Sequence, residues 1–275
     1  MVNEVEKVCN KTAGLFKLPA EIRNHILECV FNDVFGTNGL AKHRDSNESI
    51  LDENYSARNR LEVLLTCRQL YEDGIWLALN QTNFLVSNTF TPVPSRLSAL
   101  EAKYIPALRQ ITFVVDARQF RYLVEWQQWP FNMHDLQLDR LTLALHTCSS
   151  WHYLFDFTNG LVRLLRRLQG VREIVVLRNN AWVKGGFHPW YNRLVRAIMD
   201  RDHYERYEVL RPNLEDVWWE WNFDSVAQSI SLQARPSKPV MEYATYCELV
   251  RTLECAMVPA FDSRASMDWK VRNAM

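Results

Sequence analysis

Cys148 and His152 stand four residues apart, the spacing at which a thiol and an imidazole face each other on a helix. A nucleophilic cysteine needs that base and a third group to orient it, and no nearby residue completes the set. Gly185-Gly186, within Val183-Lys184-Gly185-Gly186-Phe187-His188-Pro189-Trp190, is too short for a phosphate-binding loop and lacks its Lys-Ser/Thr end. It reads as a turn after a strand. Neither a G-x-S-x-G elbow nor an H-E-x-x-H pair occurs. The expectation is a non-enzymatic protein. An active site assembled from scattered carboxylates and histidines would leave no such signature.

Metal and nucleic-acid chemistry are equally unsupported. Cys9, Cys29, Cys67, Cys148, Cys247 and Cys255 form no C-x-x-C pair, and the seven histidines do not cluster. No metal and no cofactor are therefore expected. Cys247 and Cys255, eight apart, share one helical face and read as small core residues. Lys+Arg 32 balances Asp+Glu 32, so no global field draws the chain to nucleic acid or to an acidic membrane. The densest basic group is Arg163, Arg166, Arg167 and Arg172. Its first three members lie opposite Leu161, Leu165 and Leu168, as a solvated helix face does. Unpaired cysteines, a charged start from Met1 to Lys11 and no apolar run of spanning length predict a cytoplasmic or nuclear protein.

What remains is recognition, and the elements that would position it are legible in the apolar pattern. Hydrophobic content of 48% with 23% charged residues is ordinary globular composition. Pro19 suits a first helical turn and Glu21 favours the helix dipole there. Ile22, Ile26, Leu27, Val30 and Val34 then recur as one apolar stripe; Asn32-Asp33 weaken the helix, and Gly36 with Gly39 ends it. A stripe of five such residues is worth on the order of 10 kcal/mol gross when buried, so this chain or another protein must cover it. Residues 36–59 are rich in Asn, Asp, Ser and Glu and read as a polar insert. Leu61, Leu64, Leu65, Tyr71, Ile75 and Leu79 predict a second long helix over 57–79, and Phe84 to Val86 a short strand.

Three segments in order, Leu18-Pro19-Ala20-Glu21-Ile22-Arg23-Asn24, then Leu64-Leu65-Thr66-Cys67-Arg68-Gln69-Leu70-Tyr71-Glu72, then Asn80 to Phe84, resemble the fungal F-box-like proteins. The resemblance covers about residues 15 to 86, under a third of the chain, and the insert at 36–59 lengthens the module relative to an ordinary F-box. It implies docking to the adaptor subunit of a cullin-type ubiquitin ligase through Leu18, Pro19, Ile22 and Ile26, with Trp76 in support. The remainder of the chain would then carry the target.

That remainder holds a fourfold pattern. Leu108 to Asp116, Leu138 to His146, Val171 to Arg178 and Leu214 to Asn222 each read apolar, two polar, then alternating apolar, a strand signature. Helical patterns near 117–129, 150–169 and 188–204 separate them, predicting strand–helix–strand units and a largely parallel sheet. Ile111, Leu141, Ile174 and Val217 recur at spacings of 30, 33 and 43 residues. The L-x-x-L-x-L core resembles leucine-rich repeats, without the asparagine that normally follows it. An ordinary open α/β sheet is the alternative.

The expected fold is thus α+β to α/β. A helical module at 15–86 precedes an irregular β/α domain at 95–258, with a helix near 240–257 and a tail at 259–275. Residues alternating with the core positions would face a protein target, and Thr112, Thr142, Val175, Trp218 and Glu220 represent that face, with Trp218 as anchor. The functional expectation is a ligase substrate adaptor. The alternative is a self-contained scaffold or host-interaction protein whose F-box-like helices are purely structural.

Overall fold

Period-two apolar runs built from β-branched residues and leucine become the centre of a six-stranded sheet, in a computed structural model that describes residues 14–31, 38–87, 100–116, 135–147, 151–205, 218–236 and 242–257. Strands β3 (Asn83–Val86), β4 (Gln110–Val115), β5 (Leu138–Leu145) and β6 (Val171–Leu177) lie side by side, each parallel to the next. Ile111, Leu141 and Ile174 sit in one register row and point into the main core, as their alternation predicts. Being buried on both sides, the middle strand β5 is apolar along most of its length.

The fourth pattern departs from the expected array. β7 (Trp218–Asp224) runs in the direction of β6 but lies at the sheet edge, and β8 (Ser229–Arg235) fills the place between them, antiparallel to both. The tight turn at 225–228 makes this hairpin. Asp224 Oδ1 accepts the amides of Val226 and Ala227, and Gln228 takes the left-handed conformation. The result is a mixed α/β fold on a mostly parallel sheet.

Helices α4 (Thr158–Arg167) and α5 (Phe187–His203) cover one sheet face, burying Leu161, Leu165, Trp190 and Leu194. The indole of the buried Trp219 donates to the Leu165 carbonyl at 2.8 Å, tying β7 to α4. Gly185 and Gly186 both have positive φ and form the turn ahead of α5, as expected of the glycine pair. Helix α4 begins later than the predicted 150. His152 instead forms an isolated parallel bridge with Val183, and a 3-10 turn (Leu154–Phe157) leads into the helix. His152 is therefore not on a helix, and the helical Cys148–His152 geometry does not form; Cys148 lies outside the described residues.

Helix α1 (Ala20–Phe31) is followed by α2 (Ala57–Leu61), a 3-10 turn (Glu62–Leu65) and α3 (Arg68–Gln81). The predicted continuous helix over 57–79 is thus broken. Cys67 adopts an extended backbone, φ −160° and ψ 158°, and its sulfur accepts the Leu70 amide, so Thr66-Cys67-Arg68 starts a helix rather than lying inside one. The polar insert holds a hairpin of β1 (Leu40–Lys42) and β2 (Ser49–Leu51), each too short to show a period. β3 joins the N-terminal helices to the sheet, and one apolar cluster runs from Leu27 and Phe31 through Ile111 to Trp190. Helix α6 (Tyr243–Met257) docks on α5, with the Tyr246 hydroxyl donating to the Met199 carbonyl at 2.8 Å. The expected helix at 117–129, the tail at 259–275, Val34 and Val217 lie outside the described residues.

Candidate functional site

Two surfaces carry the residues expected to meet a partner, and the first is α1. The Pro19 carbonyl accepts the amides of Ile22 and Arg23, setting the first turn. Arg23 donates from Nη1 to the Leu18 carbonyl at 2.7 Å and from Nε to Asp73 on α3 at 2.8 Å, which fixes the helix in rotation. With that rotation the predicted stripe splits. Leu27 and Phe31 enter the core against Gly74, where an added Cβ would meet Leu27 and Leu64 side chains at 3.1 Å. Ile22, Ile26 and Val30 repeat every fourth residue on the adjoining face and stay 48%, 37% and 54% exposed, with Leu18 at 36%. The expected single stripe is two rows: Ile26 and Leu27, being adjacent, lie about 100° apart around the helix, so one row is covered and the other is not.

Trp76 is not brought to this row. At 100° per residue it lies about 200° around α3 from Gly74, and its ring meets Tyr104 edge-on at 5.9 Å. It is half exposed, on a separate surface.

The second surface lies on the sheet face opposite α4 and α5. Of the residues expected to face a target there, Thr112 and Thr142 are buried and out of a partner's reach. Thr112 exchanges hydrogen bonds with the Asn83 side chain, which also donates to the Asn38 carbonyl. Val175 is half buried, Glu220 is exposed and bonded to Arg235 at 2.9 Å, and Trp218 begins β7 opposite Arg235. No expectation about the Trp218 ring is decided by the described residues.

What takes the place of an open concave face is the insert. It crosses the sheet as a strap and is fastened by polar groups. Glu48, 1% exposed, accepts from Arg178 through both Nε and Nη2, and from the Asn180 amide at 2.9 Å. Asn179 and Asn180 both have positive φ, a conformation asparagine tolerates, and this turns the Asn180 amide towards the carboxylate. The Asn179 side chain accepts the Leu51 amide and donates to the Leu145 carbonyl, clamping β2 to the end of β5. Ser49 donates to the Ala227 carbonyl, and the Tyr55 hydroxyl to that of Asn83 at 2.6 Å.

Between strap and sheet is a cleft of about 480 Å³. His43, Ile50, Leu51, Asp52 and Glu53 form the strap wall; Leu85, Val114 and His146, with the residues after β5 and β6, form the other. The cleft lies at the carboxyl ends of parallel strands, where open α/β sheets place their ligands. Sequence spacing gave no hint of it, because its walls come from five separate stretches. Arg178-Asn179-Asn180, a positive residue followed by two left-handed-tolerant ones after a strand, was the available signal.

Behind the cleft, the buried His152 donates from Nε2 to the His146 carbonyl at 2.9 Å in its neutral tautomer. Burial pushes its pKa below the ordinary 6.5, against the opposing pull of that carbonyl and of Asp116. The unfolded chain therefore takes up this proton first as pH falls. Stability is full above 6.5, declines as pH falls below it, and the loss is complete once the lower folded value is passed. His152→Gln keeps a donor for His146 and cannot titrate, so its melting temperature is expected to fall less than wild type between pH 7.5 and 5.5.

Other expectations meet plain outcomes. Arg166 pairs with Glu205 and Arg172 with Asp139, so these two members of the basic group are engaged by carboxylates. Cys29 is exposed, Cys67 and Cys247 are half buried, and Cys255's side chain is outside the description. Among the described residues no helix is long and apolar enough to cross a membrane, and no three His, Cys, Asp or Glu gather as a metal site. Compared with models of protein families, with curated proteins and with solved structures, the chain matches none.

Proposed function

We propose that this chain is a non-enzymatic adaptor that docks through α1 to the adaptor subunit of a cullin-type ubiquitin ligase while the sheet body offers a protein target. One observation carries the reading. The Leu18, Ile22, Ile26 and Val30 row, which includes positions of the F-box-like segment, faces outward although the same helix buries Leu27 and Phe31. An apolar row held outward by a specific ion pair is the arrangement a partner surface needs, since desolvated apolar anchors dominate interface energetics. The docking residues are then Leu18, Pro19, Ile22 and Ile26, with Val30 extending the row. Trp76 supports a different surface and drops out of the contact.

The test is capture of recombinant ligase adaptor subunit by the full chain. Wild type is expected to bind. Ile22→Asp with Ile26→Asp is expected to weaken binding on the order of a hundredfold, two anchors at about 2 kcal/mol each with part of the effect shared. Both positions are exposed, so the melting temperature should barely move. If wild type captures no adaptor subunit, the scaffold reading replaces this one.

A further inference from the structure

We infer that the cleft under the strap is a binding site for an alkylammonium group, an ammonium ion carried on an apolar stem. Its lining supplies two carboxylates, Asp52 and Glu53, and among the described residues no Lys or Arg. Asp52 uses Oδ1 to accept the Asn54 amide at 2.9 Å, which restrains its side chain and leaves Oδ2 for a ligand. Leu85 and Val114 form an apolar floor of aliphatic side chains, suited to a methylene stem. The size falls in the range of small-molecule sites. A neutral ligand would leave the carboxylates without a charge partner, and an anionic one would be repelled by them.

The walls are held before any ligand arrives. Asn179 ties the strap's β2 to β5, and Glu48 is anchored by Arg178 and Asn180, so neither wall has to be ordered on binding. The stem and charge could belong to a free amine or to a lysine side chain of a partner; the recognising chemistry is the same. This inference does not rest on the adaptor reading, because α1 contributes nothing to the cleft's lining.

Methyl NMR of the full chain tests it, reading the Leu85 and Val114 signals during titration with n-hexylamine and, separately, with uncharged n-hexanol. Hexylamine is expected to shift both residues and to bind roughly tenfold or more tighter than hexanol, as a charge-assisted contact requires. Glu53→Lys, at an exposed position, should abolish the hexylamine shifts, and Asp52→Asn, which keeps an acceptor for Asn54, should weaken them. Nα-acetyl-lysine amide against its norleucine counterpart separates the sources. Binding of the lysine compound points to a partner's side chain, and binding of hexylamine alone to a free amine. Equal affinity for hexylamine and hexanol, no shifts at Leu85 and Val114, or unchanged binding by Glu53→Lys overturns the proposal. None of these results alters adaptor capture, which reports on α1.

Discussion

Glu48→Ala is expected to release the strap while the sheet beneath stays folded. The carboxylate is almost wholly buried and takes three hydrogen bonds, two from Arg178 and one from the Asn180 amide. Its removal leaves a guanidinium and an amide without their acceptor. A broken buried pair costs 3–5 kcal/mol, and because a third of the Arg178 side chain remains in contact with water, about 2–3 kcal/mol is the fitting figure here. The strap's other fastenings, among them those at Asn38, Ser49, Leu51 and Tyr55, are hydrogen bonds between uncharged groups worth about 1 kcal/mol each. Loss of the largest anchor should therefore open the segment locally. In hydrogen exchange the Ser49 and Leu51 amides are expected to lose protection by roughly 30- to 150-fold, with β5 amides unchanged. Arg178→Ala should cost more than Glu48→Ala, since it strands a buried negative charge. The double substitution should cost less than the sum of the two, because each single change already removes the pair. Additive costs in that cycle would mean that the strap is held by something other than this ion pair.

The strap also explains why its part of the fold was illegible in the sequence. β1 and β2 have three residues each, and their attachment depends on Glu48 meeting Arg178, 130 positions along the chain. A polar composition suggested only a loop, because polar side chains that fasten a segment look the same as those that merely face water. The long parallel strands were legible for the opposite reason: Ile111-Phe113-Val115, Leu141-Leu143-Leu145 and Ile174-Val176 repeat a strict period in a buried environment. β8 offered only Ile230 and Leu232, and its pairing between β6 and β7 is a long-range choice that no local pattern encodes. In α1 the apolar positions were legible, but which row turned inward was decided by Gly74 and Asp73 on another helix.

With the strap in place, the sheet face opposite the helices is not a leucine-rich type of open concavity. Thr112 is sealed by Asn83 and Asn38, so the part of that face near β3 and β4 that can meet a ligand is the cleft itself. Target recognition by a flat strand surface and recognition by a bounded cleft make different demands. The former gains from large aromatic anchors, the latter from a few charges at fixed positions, and the cleft's lining offers the charges of Asp52 and Glu53.

Phe31→Ala is expected to have the largest effect on α1, and it distinguishes a docking helix from a docking sequence. Leu27, Phe31 and the Arg23–Asp73 pair attach this helix to α3. Truncating a buried phenylalanine costs about 3–5 kcal/mol. A helix of 12 residues is marginal without its packing. The part of the shared apolar cluster at the sheet, with Ile111, Leu143, Trp190 and Trp219, remains in place, so α1 should detach before the whole chain unfolds. Hydrogen exchange would then show amides 24–31 losing protection with β4 to β6 retained, and Gly74→Leu should reach the same state by wedging into Leu27 and Leu64. Both variants leave Leu18, Ile22, Ile26 and Val30 chemically intact, yet both are expected to lose adaptor capture, since a melted helix no longer presents them as one row. Ile22→Asp should lose capture with the helix still protected. If Phe31→Ala bound as well as wild type while α1 was unprotected, an extended peptide and not the folded row would be the docking element.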